Sequence, residues 1–406
     1  MSENLGWKKW KLDSHLMNRI QWDENEFNAV KEVFTSDWFG AGEYNKNFEK
    51  KICDFTGIKH SILTNSGSSA VLVALKTLMH EGVLKPGDLI LHPISTFATS
   101  VSSSIDLGLV PVFIETKPYT YVADPEQVEK AIAKYPEIKA MMLPHILGNI
   151  ADIERIVKAL NGRALIEDSC DSLGGYFNGK HTGSLADIAV FSFYGSHHIS
   201  AGGGGGAVVT NNPKYAETAH SITFWGRDFS MGGAFLNRYK YKTLGTNSQM
   251  PAIQAAFGLA QMNRLPSYLK AREQQFKEMD TFFKNYDFFH LPITHEKAQP
   301  SWFGYPLIIK PNAPFTREEF VKYLTDSAVE IRPVMCGNIL VQPPFRNAKH
   351  IKLQESYPIA DEIERAGMFI PCWGMPEDQK KNYYKILKEF LDRYQNGRNM
   401  NNKIAF

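Results

Sequence analysis

Short apolar segments alternate with amphipathic segments along most of the 406-residue chain. Short apolar runs predict strands, and apolar residues that recur every three or four positions predict helices. Strands are predicted at 62–64, 89–91, 110–114, 140–143, 164–166, 189–193 and 207–209, with helices between most of them. Strands that alternate with helices are typical of a mostly parallel sheet with helices on both faces, so we expect an α/β fold.

The last third of the chain has a different pattern. Helices are predicted at 270–283, 316–327 and 376–394, and strands at 306–309, 330–332 and 368–370. This mixture favours a smaller α+β unit, and a chain of this length is expected to divide into domains. We therefore predict an N-terminal segment of residues 1–45, a large domain of residues 46–265 and a small C-terminal domain of residues 266–406.

Polar residues follow several of the predicted strands, where open parallel sheets bind their ligands. The Ser66-Gly67-Ser68 turn opens a helix, whose free backbone N–H groups and dipole suit a phosphate group. An ordinary serine N-cap explains the same residues. Asp168 ends an apolar strand, where a carboxylate is costly unless it has a donating or cationic partner. A helix cap or a surface aspartate is the alternative there.

The segment 189–210, AVFSFYGSHHISAGGGGGAVVT, is the most unusual part of the chain. Two apolar strands enclose the pair His197-His198 and five consecutive glycines, Gly202–Gly206. This arrangement indicates either a site on a rigid frame or a glycine-rich hairpin with an incidental histidine. Neighbouring side chains on an extended segment point apart, which disfavours a metal site. A dinucleotide fingerprint is also disfavoured, because these glycines precede a strand rather than a helix.

Charge and composition exclude several classes of protein. The net charge of +2 gives no sign of binding to nucleic acid or to an anionic membrane. The N-terminus has no apolar core of signal-peptide type, and no apolar run is long enough to span a membrane. The four cysteines are widely spread, which disfavours zinc and iron–sulfur frameworks and fits reduced thiols. We expect a cytoplasmic protein without a metal ion.

The order and spacing of these pieces resemble the sugar-nucleotide aminotransferases that depend on pyridoxal 5'-phosphate (PLP). The resemblance runs from the Ser66 turn to at least Phe345 and implies the aspartate-aminotransferase-like fold, fold type I. In that family a lysine lies five residues after the serine of the strand-bend that matches SFYGSHH. That lysine binds the cofactor covalently. Counted from Ser192, the fifth residue here is His197.

A histidine in place of this lysine resembles the pattern of one branch of the family, which removes a sugar hydroxyl: the 4-keto-6-deoxy-sugar-nucleotide 3-dehydratases. The segments PHILGN, EDSCDSLG, FWGRD, PSWFGYP and IRPVMCGNILVQPPF also resemble that branch. Its CDP-linked member has iron–sulfur cysteines after the WGRD segment, whereas residues 229–247 contain none. The chain therefore resembles the iron-free GDP-4-keto-6-deoxymannose type. It departs from those relatives in its unbroken Gly202–Gly206 run, where they usually have a glutamate.

The resemblance implies a role for each matching residue. It implies that Asp168 pairs with the pyridine nitrogen, Phe97 stacks on the ring, and Asn247 reaches the phosphate of the partner subunit. That last role implies a homodimer with shared active sites. The expected cofactor-binding residues are Gly67, Ser68, Phe97, Asp168, Asp171, Ser192 and Asn247. The candidate substrate-binding residues are His145, Arg227 and Arg332, the two arginines because guanidinium groups suit diphosphate oxygens.

His197 is the expected catalytic residue. An imidazole cannot hold the cofactor covalently, but it exchanges protons near neutral pH. The resemblance implies that pyridoxamine 5'-phosphate (PMP) and His197 together remove the 3-hydroxyl of a nucleotide-linked 4-keto-6-deoxyhexose with release of ammonia. Glutamate then re-aminates the cofactor. Two alternatives are an aminotransferase that uses another lysine or no covalent link, and a catalytically silent protein that binds nucleotide sugars.

Overall fold

The computed structural model describes residues 14–231 and 235–404, so residues 1–13 of the predicted N-terminal segment lie outside the described part of the chain. The helices are α1 Glu24–Thr35, α2 Glu43–Thr56, α3 Gly67–His80, α4 Ala98–Asp106, α5 Pro125–Lys134, α6 Ile153–Leu160, α7 Pro213–Thr223, α8 Ala252–Met262, α9 Leu265–Phe283, α10 Arg317–Asp326, α11 Pro343–Asn347, α12 Pro358–Ala366 and α13 Glu377–Ile404. The strands are β1 His60–Thr64, β2 Leu89–Pro93, β3 Val110–Ile114, β4 Ala140–Pro144, β5 Ala164–Asp168, β6 Tyr176–Phe177, β7 Lys180–His181, β8 Ile188–Ser192, β9 Gly206–Thr210, β10 Phe289–His290, β11 Ala298–Gln299, β12 Tyr305–Ile309, β13 Ile351–Lys352 and β14 Gly367–Ile370.

An eight-stranded sheet organises the first two thirds of the chain. Its strand order is β1-β9-β8-β5-β4-β2-β3-β13. Strand β9 runs antiparallel to both of its neighbours, and the other neighbouring pairs are parallel. The expected mostly parallel α/β fold is therefore confirmed. Because β1, β2, β4, β5 and β8 run in one direction, the residues that follow them meet at one edge of the sheet.

Alternate residues of each strand pack into different cores, as the two-residue period of a strand requires. In β4, Ala140 and Met142 join the core beneath α3 and α7, whereas Met141 and Leu143 join the core on the other face. Strands buried on both faces read as continuous apolar runs, which is why they could be found in the sequence.

A second core lies in the C-terminal part of the chain. The three-stranded antiparallel sheet β10-β12-β14 packs against α9, α10 and α13 through Phe283, Phe320 and Leu387. A third, small sheet has the order β11-β6-β7. The division between residues 265 and 266 stays a prediction. No helix in the described ranges is long and apolar enough to cross a membrane.

The strand predicted at 330–332 is wrong. Arg332 forms only an isolated bridge, with its N–H donating to the Phe369 carbonyl and its carbonyl accepting from the Phe369 N–H. The next residue is Pro333, which has no N–H to continue a ladder. The pairing therefore stops after one residue.

Gly148 joins the large sheet to the C-terminal part. It follows β4, its φ is +83°, and its carbonyl accepts from the Ser301 N–H at 3.1 Å. The neighbouring Leu147 carbonyl accepts from the Phe303 N–H at 2.8 Å. A Cβ at Gly148 would lie 1.8 Å from the Ser301 oxygen, so only glycine allows this approach.

We expect Gly148→Ala to lower the free energy of unfolding by more than about 4 kcal/mol, the range of severe backbone clashes. The matched control is Gly179→Ala, because Gly179 also has a positive φ of +75° but has nothing within 4 Å of the added Cβ. That control carries only the conformational cost of about 1–2 kcal/mol. Urea denaturation of both variants measures the difference. Equal losses in the two variants would show that the contact does not constrain the fold.

Candidate active site

A cavity of about 530 Å³ lies at the carboxyl edge of the large sheet and extends to the C-terminal part. Its walls bring together nine of the eleven residues predicted from the sequence. These are Gly67, Ser68, Phe97, His145, Asp168, Asp171, Ser192, His197 and Arg332. No lysine of this chain is among the described residues that line it. Residues separated by more than 250 positions thus share one site.

The first wall is the start of α3. The Ser66 hydroxyl accepts from the Ser69 N–H at 3.1 Å, so the serine N-cap explanation is correct in geometry. The following Gly67 packs closely against the end of β8, so a Cβ added to Gly67 would lie only 2.8 Å from the Cβ of Ser192. The helix N-terminus therefore lies directly at the cavity wall, where unpaired N–H groups favour an anionic group. Both explanations hold at once.

Asp168 ends β5 and is 6% exposed. Its Oδ2 accepts from the Ser100 hydroxyl at 2.6 Å, and its Oδ1 accepts from the Cys170 N–H at 3.3 Å. These donors stabilise the buried carboxylate. Ser100 was not found from the sequence, since nothing distinguishes it from the other serines of α4. Phe97 is the N-cap of that helix and presents a half-exposed ring to the cavity.

His197 lies in the turn after β8. Its N–H donates to the Tyr194 carbonyl at 3.0 Å, and its carbonyl accepts from the Asn18 side chain at 2.7 Å. Burial lowers the pKa of the imidazole to about 3, with smaller effects from the charges of Arg272 and Arg332. The ring is therefore neutral at physiological pH. A neutral imidazole is the form that accepts a proton.

Asp171 is the acidic neighbour of His197. Its Oδ1 lies 3.5 Å from Nδ1 of His197 without forming a hydrogen bond, and its Oδ2 accepts from the Leu147 N–H at 3.1 Å. Burial raises the pKa of this carboxyl to about 7. Asp171 lines the cavity, as expected of a cofactor-binding residue, and it also places a titratable carboxyl beside the imidazole.

His145 has both ring nitrogens occupied. Its Nε2 lies 2.8 Å from Oε1 of Glu167, and its Nδ1 accepts from the Ala151 N–H at 3.4 Å. The side chains of His145 and Glu167 are completely buried. His145 therefore offers a ligand no free ring nitrogen, and its role in binding substrate stays a prediction.

The three remaining predicted residues differ in position. Arg332 lines the cavity, and its Nε donates to Glu330 at 2.7 Å. Arg227 lies outside this cavity, where its Nε donates to the Arg238 carbonyl at 2.9 Å. Asn247 also lies outside the cavity of its own chain and forms a backbone bridge with Phe224. The roles of Arg227 and Asn247 stay predictions.

The cysteines and the acidic residues that the structure describes form no metal site. All four cysteines are free. Within residues 14–231 and 235–404, no group of three or more His, Cys, Asp or Glu side chains could hold a metal ion. The expectation of an iron-free protein stays a prediction.

The raised pKa of Asp171 predicts a dependence of stability on pH. The folded state holds a proton on this carboxyl that the unfolded state loses near pH 4, so its contribution to stability is lost as pH rises from about 4 to about 7. Asp171→Asn keeps the acceptor for Leu147 and cannot ionise. We expect the variant to gain about 1–3 kcal/mol relative to wild type between pH 5 and pH 8.5. Urea denaturation of cofactor-free protein measures this gain, and a constant difference across that range would contradict the assignment.

Known proteins are similar to this chain in sequence and in fold. It is 35% identical over 352 residues to the lipopolysaccharide biosynthesis protein RfbH of Salmonella typhimurium, with 80% of each chain covered. It is 30% identical over 389 residues to the GDP-4-keto-6-deoxy-D-mannose 3-dehydratase of Yersinia pseudotuberculosis, covering 91% of this chain and 96% of the relative.

A crystal structure of a GDP-4-keto-6-deoxymannose-3-dehydratase with a trapped PLP–glutamate geminal diamine has the same fold. The TM-score is 0.86 at 25% identity, and the match covers 93% of this chain and 100% of the other. The expected fold is thus confirmed. The similar protein binds PLP, the cofactor expected from the sequence. Residues 21–385 match one enzyme family. The chain belongs to the DegT/DnrJ/EryC1/StrS aminotransferase family.

Proposed function

We propose that this protein is a PMP/PLP-dependent 3-dehydratase of a nucleotide-linked 4-keto-6-deoxyhexose. The observation that carries the proposal is the replacement of a covalent lysine by His197, a buried and neutral imidazole in the wall of the cavity. The product is a 3,6-dideoxy-4-keto sugar, and glutamate is the amino donor. The 3-dehydratases similar to this chain support the same activity.

The residues at the cavity fit the cofactor. Gly67 leaves space at the start of α3 that a Cβ would fill, and the helix N-terminus there suits the cofactor phosphate. Asp168 supplies a buried carboxylate whose charge suits a protonated ring nitrogen. Phe97 supplies an exposed aromatic face for a planar ring. When bound, PMP supplies an amine for the sugar ketone and a conjugated ring that accepts electron density.

The side chains around His197 determine its chemistry. The neutral ring accepts a proton, and its Nδ1 lies 3.5 Å from Oδ1 of Asp171. Above its pKa of about 7 that carboxyl is ionised, and its negative charge then stabilises the protonated ring. Phe303 packs against the imidazole with 5.0 Å between ring centroids and limits the access of water. Arg332 gives the same cavity a cation for an anionic substrate group.

An aminotransferase is the second candidate, because the family takes its name from that activity. Its cycle needs an amine or another base in place of the missing lysine. The described residues of this chain that line the cavity include no lysine. We therefore favour dehydration, and the two activities differ in their products.

Incubation of the enzyme with PLP, glutamate and GDP-, CDP- or dTDP-linked 4-keto-6-deoxy sugars tests the proposal. We expect loss of the 3-hydroxyl and release of ammonia, followed by mass spectrometry and an ammonia assay. His197→Asn should retain cofactor binding and lose about 10²–10⁴-fold in turnover or more. His295→Asn is the matched control, because His295 lies outside the cavity, and it should keep full activity. A 4-amino sugar as the product, or normal turnover by His197→Asn, would contradict the proposal.

We also propose that the active enzyme is a homodimer with shared sites. Large apolar side chains are exposed around α1 and in the loop before α8, which is unusual for a monomer. The most exposed are Phe235, Leu244, Tyr239, Trp22 and Trp38. Asn247 follows the second of these regions and does not reach the cavity of its own chain. A cross-subunit role for Asn247 is consistent with both observations.

Mixed dimers of Asn247→Ala and His197→Asn test the sharing of sites. If Asn247 serves the partner's cavity, one site in each mixed dimer is free of both changes. Random exchange should then restore roughly a quarter of wild-type activity, because half of the dimers are mixed and each has one intact site. The control is each variant exchanged with itself, which should restore nothing. No recovery in a verified mixture would show that each site belongs to one chain.

A further inference from the structure

A second cavity, of about 210 Å³, lies on the other side of the loop that carries His197. It is enclosed by residues 18–21, the first turns of α9 and residues 373–374. It shares no lining residue with the active-site cavity. His198 lines this second cavity, whereas the adjacent His197 lines the first. The histidine pair therefore separates two cavities.

The second cavity is cationic. Its charge comes from Arg19 and Arg272, and none of its described lining residues is an aspartate or a glutamate. His198 also lines it but is neutral, because burial lowers its pKa well below the ordinary value. Arg272 is only 2% exposed. Its Nη1 donates to the carbonyls of Trp302, Phe303 and Cys372, at 3.2, 2.9 and 3.1 Å. These contacts satisfy one nitrogen and neutralise no charge.

The second terminal nitrogen of Arg272, Nη2, has no hydrogen-bond partner among the described residues. No carboxylate oxygen of those residues lies within ion-pair distance of this guanidinium. His198 is 1% exposed, and its Nε2 faces the Ser301 carbonyl at 2.9 Å. Because Nε2 donates to that carbonyl, Nδ1 of the neutral ring is an acceptor without a partner in the described chain, and it suits a water molecule rather than the anion. The charge of Asp171 acts on Arg272 only from beyond ion-pair distance. A buried cation without a direct counter-ion is costly.

We propose that this cavity binds one compact monoanion, a halide or a small oxyanion such as nitrate or formate, as the counter-ion of Arg272. The volume has room for such an ion and a few water molecules, at about 30 Å³ each, and excludes a nucleotide sugar. Asn18, which also lines the cavity, donates to the His197 carbonyl at 2.7 Å. The bound anion thus stabilises the loop that carries His197, on the side of the loop opposite the active-site cavity.

Ser267 allows a test that leaves Arg272 and His198 intact. It lies in the first turn of α9, is exposed, and borders the cavity. Ser267→Asp places a negative charge at the cavity, and the first turn of a helix tolerates an acidic residue. Ser267→Asn has nearly the same shape without the charge and is the matched control.

The cofactor-loaded enzyme is melted while the bulky anion of HEPES is replaced by formate, nitrate or bromide at constant ionic strength. We expect Tm to rise in a saturable manner by at least about 3 °C at about 100 mM anion in wild type and in Ser267→Asn. Ser267→Asp should show less than about a third of that rise, because its own carboxylate opposes or replaces the ligand. A preference for bromide identifies a halide site, and a preference for formate or nitrate identifies an oxyanion site.

Crystals soaked in bromide provide a second, direct measurement. We expect an anomalous peak in the cavity beside Arg272 in Ser267→Asn and none in Ser267→Asp. A Tm that rises linearly and equally in both variants would indicate a general salt effect and overturn the proposal. The absence of any bromide peak, together with no saturable rise for formate or nitrate, would show that water alone fills the cavity.

Discussion

Burial without a hydrogen bond to its Nδ1 keeps the imidazole of His197 neutral, and the surrounding structure maintains that burial. The ring lies where the large sheet meets the C-terminal part, packed against Phe303 from the segment before β12. That segment is held in place through Gly148, the one residue type that can approach Ser301 so closely. A loss of that junction would expose the ring to water and raise its pKa toward its ordinary value.

The same junction concentrates charges that are costly to bury. Asp168 is stabilised by Ser100, Asp171 has a pKa raised by burial, and Arg272 has carbonyl partners but no carboxylate partner in the described part of the chain. Groups whose pKa values are strongly shifted, as those of Asp171 and Arg272 are, cluster at functional sites. The parallel strands stabilise this arrangement, since their carboxyl ends bring polar side chains together on a rigid frame.

Much of this could be predicted from the sequence. The apolar strands are buried on both faces, so β3, β4 and β8 were visible as continuous runs, and the residues after them followed the rule for parallel sheets. The capping box of α1, with Asp23 and Glu26, was also present in the sequence but was not recognised. The pattern alone marked the segment around His197, but a catalytic role for that residue was predicted only because the spacing from Ser192 could be compared with a known family.

Other features depend on contacts between distant residues. The hydrogen bond from Ser100 to Asp168 spans 68 positions, and nothing local marks that serine. The carboxyl of Glu167 beside His145 likewise becomes evident only when β4 and β5 pair. The predicted strand at 330–332 failed because a single bridge to Phe369 ends at a proline, a limit set by the partner strand.

The central claim is that His197 acts as a base and never holds the cofactor covalently. Borohydride reduction of the PLP-saturated enzyme, followed by peptide mass spectrometry, tests this claim most directly. The account predicts no cofactor-modified lysine in wild type, and a modified residue at position 197 in the His197→Lys variant treated in parallel. A stoichiometric cofactor adduct on any lysine of the wild-type enzyme would contradict it.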